Sequence, residues 1–378
     1  MKVVAAPNAF KGSLSPLGAA RAIEAGLRRA DQAIVCDLAP ISDGGDGFLE
    51  TMLTARPAER RKLVVRGPVH APVAASYAVD AGGVALIEAA QACGMALLGE
   101  GNLDPLGAST GGVGELIAQA RQDGARGFVV GVGGSASTDG GTGAARALGY
   151  RFLDAAGHEL AEGGGSLHRL DRIDSSGFDP AWLMTPITAA CDVDNALYGE
   201  SGSAAVYAPQ KGADSRQVEI LDRGLRRLAE VMRRDLGVDI AGLPGAGAAG
   251  GLGGGLAGFL GAHLRPGAEW IIDAIGLERR VLGADLLVTG EGRLDGQSLR
   301  GKAPVSAGRL ARRSGVRAVA LVGAVGNDWE RAVGDAFDEV RVITPAGMSE
   351  EEAIRRADSL IVDAAAGLFG SAPAPPPA

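Results

Sequence analysis

The sequence predicts an α/β protein, in which a doubly wound domain is assembled from both ends of the chain and a second α/β domain is inserted between them. Three observations predict this. Short apolar strands alternate with helical patterns near both termini, while the middle of the chain carries a hairpin pattern of its own. The length of 378 residues suits two domains of roughly 100–200 residues each. Glycine, with 60 residues, is about twice as frequent as its usual ~7%, which indicates many tight turns.

The amino-terminal elements are predicted to be a strand, a helix and a second strand. Residues 2–6 form the first apolar strand pattern. Ser15 and Pro16 suit the N-cap and the first position of a helix, and apolar residues follow at helical spacing as far as Leu27. The second strand is predicted at residues 34–38.

The same alternation returns near the carboxyl terminus. The predicted elements are a strand at 285–289, a helix at 303–313, a strand at 317–322, a helix at 328–337 and a strand at 339–343. A final helix is predicted to begin at a capping box that Ser349 forms with Glu352.

The middle of the chain is predicted to open with an antiparallel hairpin, residues 73–79 and 84–89, joined by the turn sequence DAGG. The further elements are a helix at 113–123, strands at 127–132 and 187–191, and helices at 142–148 and 214–236. We expect a doubly wound domain of residues 1–72 and 283–370, an inserted α/β domain of residues 73–282, and a disordered proline-rich tail of residues 371–378.

One long uncharged stretch, residues 243–262, has the length of a membrane helix. Nine of its twenty residues are glycine, however, and its larger apolar side chains fall on a single helical stripe. That stripe is typical of a helix packed on one face of a water-soluble protein. We therefore interpret the stretch as a packed helix.

Charge and composition exclude several classes of function. The net charge of −8 and the aromatic content of only 4% argue against nucleic-acid binding and against anionic membranes. The three cysteines form no CxxC pair and have no histidine at ligand spacing, so neither a disulfide framework nor a zinc site is expected. A cytoplasmic location fits this cysteine usage. Whether the protein forms a homo-oligomer is left open.

Lysine is scarce, since only five of the 37 basic residues are lysine. Three of them, Lys11, Lys211 and Lys302, stand next to glycine in predicted turns. A compact ammonium in such a turn suits contact with phosphate.

Two of the glycine turns lie in the amino-terminal region. Residues 8–16 follow a strand and precede a helix, so that free amides, two hydroxyls and the ammonium of Lys11 can hold an anion there. Residues 42–47 (SDGGDG) bring Asp43 and Asp46 onto one flexible turn, which suits magnesium or a substrate hydroxyl.

Two more turns follow strands of the middle region. Residues 131–141 (GVGGSASTDGG) offer backbone amides, three hydroxyls and a carboxylate, which favours a phosphate or substrate role. At residues 191–195 (CDVDN), Asp192 and Asp194 share one side if the preceding strand continues through them. Phosphoryl transfer to an alcohol needs such carboxylates, to orient the hydroxyl and to hold magnesium.

Two further glycine-rich segments lie toward the carboxyl terminus. Residues 289–303 place Glu291, Arg293, Asp295 and Lys302 after a strand, which favours a ligand, although the stretch lacks the hydroxyl residue of a P-loop. The segment GAGAAG (residues 245–250) matches a dinucleotide-binding pattern literally. No predicted strand precedes it, so it is weak evidence for a nicotinamide cofactor.

Six motifs, in order over nearly the whole chain, resemble those of the type-1 glycerate kinase family: APNAFKGSLSP, SDGGDG, GVGGSASTDGGTGAARALGYRFLD, CDVDNALYG with APQKGA, GAGAAGGLGGGL and VTGEGRLDGQSLRGK. The resemblance implies a cytoplasmic enzyme that depends on ATP and Mg²⁺. It also implies a discontinuous Rossmann/flavodoxin-like domain, an inserted α/β domain and an active site in the cleft between them. The implied reaction transfers the γ-phosphoryl of ATP to D-glycerate, giving 2-phosphoglycerate. Where the family commonly has Asp-Ser, this chain has Asn8-Ala9, which removes a carboxylate from position 8.

We infer roles for the residues in these motifs. The inferred catalytic residues are Asp192, Asp194, Lys11, Arg293 and Lys302. Substrate or phosphate contacts are expected from Ser13, Asp43, Gly133, Gly134, Ser135, Asn195, Lys211 and Glu291. Magnesium is expected on Asp192, Asp194 and Asp295.

Two other functions remain open at this stage. An NAD-dependent oxidoreductase of small hydroxy acids would explain the GxGxxG look-alike, but no catalytic histidine paired with a carboxylate is evident. A non-catalytic sensor of a small anion would use the same glycine-rich turns. The sequence does not decide the position of phosphorylation or the stereochemical preference.

Overall fold

The computed structural model describes residues 1–99, 101–296 and 298–369, so the predicted tail at 371–378 lies outside the described residues. Within them the chain forms thirteen strands and thirteen α-helices. The strands are β1 (Lys2–Ala5), β2 (Val35–Leu38), β3 (Ala58–Arg66), β4 (Pro72–Asp80), β5 (Val84–Glu88), β6 (Gly127–Gly131), β7 (Arg151–Leu153), β8 (Arg172–Asp174), β9 (Ile187–Ala190), β10 (His263–Arg265), β11 (Leu286–Leu294), β12 (Arg317–Val325) and β13 (Glu339–Val342). The helices are α1 (Pro16–Ala30), α2 (Phe48–Ala55), α3 (Ala90–Cys93), α4 (Gly111–Gln122), α5 (Thr142–Ala147), α6 (Ser203–Tyr207), α7 (Ser215–Leu236), α8 (Ala248–Leu260), α9 (Gly267–Ala274), α10 (Leu277–Val281), α11 (Ala303–Arg313), α12 (Glu350–Arg355) and α13 (Ala357–Ala366).

The chain divides into two compact units. Unit 1 comprises Met1–Ser42, Glu50–Ala55 and the chain from Ala268 onward, and unit 2 comprises Asp43–Leu49 and Arg56–Gly267. These bounds differ from the expected borders at residues 72/73 and 282/283. The difference at the first border has a physical reason: β3 was not predicted, because charged residues crowd its first half, and it pairs with β4 along its whole length.

Unit 1 contains a parallel five-stranded sheet in the order β13-β12-β11-β1-β2. The first strand of the chain lies beside β11, with Val3 opposite Leu286. From this pair the chain builds the sheet in both directions, toward β2 and toward β13. The strand order therefore reverses between β1 and β11, and in open parallel sheets ligands bind beyond the carboxyl ends of the strands at such a point.

One face of this sheet is covered by α1 and α13, which share a core with β1, β11 and β12. The predicted start of α1 is confirmed, because the Ser15 side chain accepts a hydrogen bond from the Gly18 amide at 3.1 Å. Gly26 lets the two helices approach closely, since a Cβ atom there would lie 2.3 Å from the Val362 carbonyl oxygen.

Unit 2 contains a six-stranded sheet in the order β10-β9-β6-β5-β4-β3. The strands from β10 to β5 are parallel, and β5, β4 and β3 are antiparallel neighbours. The predicted hairpin is thus confirmed as β4 and β5, with Tyr77 opposite Ile87. A small antiparallel pair, β7 with β8, was not predicted.

The glycine-rich stretch forms α8, and its first turn departs from helical geometry. Ala249, Gly250 and Gly251 all have positive φ angles. A Cβ atom on Gly250 would lie 1.9 Å from the Ser137 carbonyl oxygen, so glycine is required for this contact. Among the described helices, none is long and apolar enough to cross a membrane.

The predicted helix at 328–337 is wrong. The structure has only a short 3₁₀ turn there, Trp329–Ala332, because Asp328 and Gly334 both adopt positive φ angles that a helix does not allow. The predicted final helix begins at Ser349 as expected, but it is divided into α12 and α13 at Arg356.

We predict opposite effects for two glycine substitutions within α1. Gly26→Ala would force α1 away from α13 and lower the free energy of unfolding by about 1–3 kcal/mol. Gly18→Ala places its Cβ atom at ordinary contact distances and is expected to be neutral or to stabilise by up to ~1 kcal/mol. Urea unfolding measures both, and equal effects would refute the close-packing account.

Candidate active site

In unit 2, the acidic turn at residues 43–47 is held by a buried glutamate. Glu88, at the end of β5, accepts hydrogen bonds from the amides of Gly47 at 3.1 Å and Leu49 at 2.9 Å. Burial raises the pKa of Glu88, while these two amides favour its charged form. Within the turn, Asp43 accepts a bond from the Gly45 amide at 3.2 Å. Glu88 was not among the predicted site residues, although an acid that ends an apolar strand was a usable signal.

The glycine turn after β6 packs directly against this acidic turn. The amide of Gly133 donates to the Gly44 carbonyl oxygen at 3.0 Å. A Cβ atom on Gly133 would lie 2.6 Å from the Gly45 Cα atom, and one on Gly134 would lie 2.8 Å from Asp46 Oδ1. The two turns therefore touch backbone to backbone, which only glycine permits. Asp46, which the sequence places on the acidic turn without an assigned role, also belongs to this contact.

The segment after β9 borders the same turns. A Cβ atom on Gly44 would lie 2.5 Å from the Ala190 carbonyl oxygen. A Cβ atom on Gly267, the first residue of α9, would lie 2.5 Å from the Asp43 carbonyl oxygen and 3.3 Å from the Cys191 nitrogen. Acidic turn, glycine turn and the start of segment 191–195 thus converge at the carboxyl ends of β5, β6 and β9.

The strand itself ends at Ala190, before either aspartate. The expectation that strand alternation places Asp192 and Asp194 on one side therefore does not apply. Asp192 is half-buried and Asp194 is exposed. Asn195 has local partners: its amide nitrogen donates to the Ser201 carbonyl oxygen at 3.0 Å, and the Tyr207 hydroxyl donates to its Oδ1 atom at 2.5 Å.

The polar side chains that follow the glycine turn point into unit 2. The hydroxyl of Ser135 is buried and lies 2.7 Å from the Ser137 hydroxyl. Asp139 is fully buried and accepts four hydrogen bonds: from the Thr110 amide and hydroxyl, at 2.9 and 2.8 Å, and from the amides of Gly141 and Gly143, both at 3.1 Å. The carboxylate of segment 131–141, for which a phosphate or substrate role was predicted, therefore connects the start of α4 to the start of α5.

Burial raises the pKa of Asp139, and its hydrogen bonds oppose that rise. One signal for this role is present in the sequence, since the aspartate stands three residues before a helix of small residues.

Lys211 is also buried, with 3% of its surface exposed. Its ammonium donates a hydrogen bond to the Ser137 carbonyl oxygen. Burial lowers the pKa of Lys211 from its ordinary value of 10.5 to about 8, and electrostatic interaction with the Asp139 carboxyl group partly opposes this shift. The ammonium thus supports the segment between the glycine turn and α5. A contact with the transferred phosphoryl group remains a prediction.

In unit 1, the loop after β1 meets the carboxyl half of β11, where the strand order reverses. The Asn8 amide donates to the Gly290 carbonyl oxygen at 2.8 Å, and a Cβ atom on Gly292 would lie 3.4 Å from the Lys11 nitrogen. Lys11 is exposed beside this contact, whereas the Ser13 hydroxyl donates to the Phe10 carbonyl oxygen at 2.9 Å.

The four predicted residues on β11 and after it have different environments. Glu291 is buried on β11 itself. Arg293 has 66% of its side chain exposed and lies 3.9 Å from an oxygen of Asp295. Lys302 occupies the N-cap position of α11. Unit 1 therefore brings Lys11, on the loop after β1, close to the end of β11, which carries Glu291 and Arg293 and is followed by Asp295.

No group of three or more histidine, cysteine or acidic side chains is arranged to hold a metal ion within the described ranges. The carboxylates of the acidic turn and of segment 191–195 in unit 2, and separately that of Asp295 in unit 1, are oxygen donors of the type that Mg²⁺ binds. Since Mg²⁺ usually takes one or two protein carboxylates together with phosphates and waters, the carboxylates of either unit fit it.

We predict that Lys211→Met changes how stability depends on pH. Because the folded-state pKa lies below the ordinary value, the unfolded chain binds more protons between pH 8 and 10.5, and the free energy of unfolding of the parent protein rises across that interval. The variant lacks this contribution, so the parent should gain up to about 3 kcal/mol relative to it.

Urea unfolding at pH 7.5 to 10.5 measures this difference. Lys62→Met, at an exposed position on β3, serves as the matched control. A constant difference between the parent and Lys211→Met over this range would contradict a buried ammonium.

Comparisons with known proteins agree with the motifs. The model of the glycerate kinase family matches residues 3–371. A protein of Halalkalibacterium halodurans named glycerate kinase is 41% identical, over 97% of both chains. A protein of Escherichia coli K12 named glycerate 2-kinase is 40% identical, over 93% of both chains. A crystal structure of a protein from Salmonella typhimurium LT2 superposes with a TM-score of 0.81 at 38% identity, over 97% of both chains. These matches confirm the resemblance stated from the sequence, and the chain belongs to the glycerate kinase family.

Proposed function

We propose that this glycerate kinase transfers the γ-phosphoryl group of ATP to D-glycerate in the cytoplasm and that the product is 2-phosphoglycerate. One observation in unit 2 carries the proposal: the acidic turn, the glycine turn and segment 191–195 converge at the carboxyl ends of three neighbouring strands. Such a site offers carboxylates next to backbone amides, which is what transfer of a phosphoryl group to an alcohol requires. For unit 1 we propose a doubly wound, Rossmann/flavodoxin-like fold.

We propose that the carboxylates of segment 191–195 bind the hydroxyl group that accepts the phosphoryl group. Asp192 and Asp194 orient the hydroxyl group of glycerate, and one of them accepts its proton as the new bond to phosphorus forms. Asp43, on the adjoining turn, and the amide of Asn195 contact the substrate. The glycine backbone at 133 and 134, with the amide of Ser135, binds phosphate oxygens.

We propose that cationic side chains bind the phosphates and offset their negative charge. Lys11, with the Ser13 hydroxyl, binds an anionic group, and Arg293 and Lys302 offset charge on the transferred phosphoryl group. Lys211 supports the backbone that follows the glycine turn, because its ammonium donates a hydrogen bond to the Ser137 carbonyl oxygen.

In unit 2, Mg²⁺ would be held by Asp192 and Asp194; in unit 1, Asp295 is proposed as a magnesium ligand and Glu291 as a further substrate or metal ligand. When bound, the ion neutralises negative charge on the phosphates of ATP. The loops that carry these carboxylates keep them in position.

An NAD-dependent oxidoreductase is not favoured by the local structure. The GxGxxG look-alike at residues 245–250 leads into α8, and the element before it is α7 rather than a strand. A dinucleotide site needs the strand, because the strand aims the glycine turn at the pyrophosphate.

The direct test is an ADP-release assay with ATP, Mg²⁺ and a panel of hydroxy acids, followed by analysis of the phosphorylated product. We expect turnover with D-glycerate and accumulation of 2-phosphoglycerate. Accumulation of 3-phosphoglycerate would refute the position of transfer, and glycerate-dependent reduction of NAD without ATP would replace the kinase by an oxidoreductase. Binding of glycerate without turnover would favour a sensor.

We predict that Asp192→Asn and Asp194→Asn each lower kcat by at least ~10²-fold, because each removes a carboxylate that orients or deprotonates the hydroxyl. Circular dichroism should show an unchanged fold. Asp239→Asn, at an exposed position outside the site, is the matched control and should keep full activity. Near-normal turnover in both site variants would remove the assignment.

We also predict that Gly133→Ala lowers kcat/KM by at least ~10-fold, because its Cβ atom would push the glycine turn off the acidic turn. Gly242→Ala is the control, since a Cβ atom at that position has no described heavy atom within 4 Å. Steady-state kinetics compares the two variants. Equal activity would show that the contact between the turns does not position the site.

A further inference from the structure

Unit 1 contains a cavity of about 750 Å³ beyond the carboxyl ends of β11 and β12. Among the described residues, its lining comes from three places: the end of β11 and the loop that follows (Arg293, Asp295, Gly296 and Leu299), α11 (Arg309), and the chain after β12 (Asn327, Asp328, Arg331 and Asp335). Sites for small molecules and cofactors commonly measure about 300–1,000 Å³. The cavity is therefore large enough for a complete cofactor-sized ligand.

The charges on its walls are not equivalent. Arg309 is already paired, because its Nε and Nη2 atoms donate to the same oxygen of Asp335 at 3.0 and 2.6 Å. Arg293 and Arg331 also line the cavity and are exposed. The nearest carboxylate oxygen of Asp295 lies 3.9 Å from Arg293, beyond hydrogen-bond distance. Two guanidinium groups are thus available to an anionic ligand.

The backbone holds the two loops of the cavity together. The Gly296 amide donates to the Asn327 carbonyl oxygen at 2.9 Å, and the Gly326 amide donates to the Leu294 carbonyl oxygen at 2.8 Å. Asp328, which lines the cavity, has a φ angle of 63°, a conformation that costs a non-glycine residue about 1 kcal/mol or more. Such strained residues cluster at ligand sites, where the surrounding structure maintains them.

Size separates the two substrates of the proposed reaction. Glycerate occupies a volume on the order of 100 Å³, which equals a few water molecules at about 30 Å³ each. A nucleotide, with its base, ribose and phosphates, needs a site several times larger. Its phosphates also suit arginine, whose planar guanidinium binds two phosphate oxygens at once.

We propose that this cavity binds the nucleotide, with Arg293 and Arg331 contacting its phosphate oxygens. The carboxylates of Asp295 and Asp328 accept hydrogen bonds from hydroxyl or amino groups of the same ligand. This inference rests on the proposed function, since it names the place where one of the two substrates binds. It adds Arg331 and Asp328, which the motifs did not single out.

The test is calorimetric titration of the full-length protein with ADP and, separately, with D-glycerate. Loss of one charged contact typically lowers affinity by about 10- to 100-fold. We expect Arg331→Ala to raise the Kd for ADP and the KM for ATP by at least ~10-fold and to change the KM for glycerate less than ~2-fold. Arg313→Ala, an exposed arginine of α11 outside the cavity lining, should change neither.

Arg293→Ala provides a second variant on the other loop, with the same expectation for ADP. Unchanged ADP affinity in both variants would overturn the proposal, and a weakened response to glycerate alone would assign the cavity to the acid instead. The proposed function fails by a different result, namely no ADP release from ATP and glycerate by the unsubstituted protein. A parent enzyme that is active while both variants bind ADP normally would refute only the cavity assignment.

Discussion

The contact between the backbones of Gly44 and Gly133 is the constraint on which the candidate site of unit 2 depends. It joins a turn that carries aspartates to a turn that offers amides, at the ends of neighbouring strands. A side chain on Gly133 would separate them, and side chains on Gly44 or Gly267 would meet carbonyl oxygens at 2.5 Å. The abundance of glycine is therefore explained in part by loops that must touch without side chains between them.

Buried charges support these loops, while exposed charges remain available to ligands. Glu88 holds the acidic turn through two amides, and Asp139 joins the starts of α4 and α5. Lys211 supports the segment between the glycine turn and α5. Burying such groups is expensive unless hydrogen bonds compensate, so each is tied to a defined backbone position. By contrast, Lys11, on the loop after β1, and Arg293, near the end of β11, are exposed in unit 1. This division separates the residues that position the site from those proposed to act in it.

Elements that depend on neighbouring residues could be predicted from the sequence, whereas elements that depend on long-range contacts could not. The start of α1 was predictable because Ser15 and Pro16 act within one turn, and the hairpin of β4 and β5 because its strands are neighbours in the chain. The strand β3 was missed because its pairing with β4 stabilises a charged segment that has little strand character of its own. The helix expected at 328–337 failed because the positive φ angle of Asp328 depends on the loops around it. Likewise, the motifs identified the glycine turns, but whether a lysine such as Lys211 is buried depends on packing that spacing does not encode.

Hydrogen–deuterium exchange tests the central claim, that the three turns of unit 2 form one substrate-binding surface. With ADP and D-glycerate present together, exchange should slow in peptides covering residues 43–47, 131–139 and 191–195. The β7–β8 pair, which contributes nothing to these turns, should exchange as in the free protein. Slowing confined to a single turn, or found at β7–β8 in place of all three, would contradict the account.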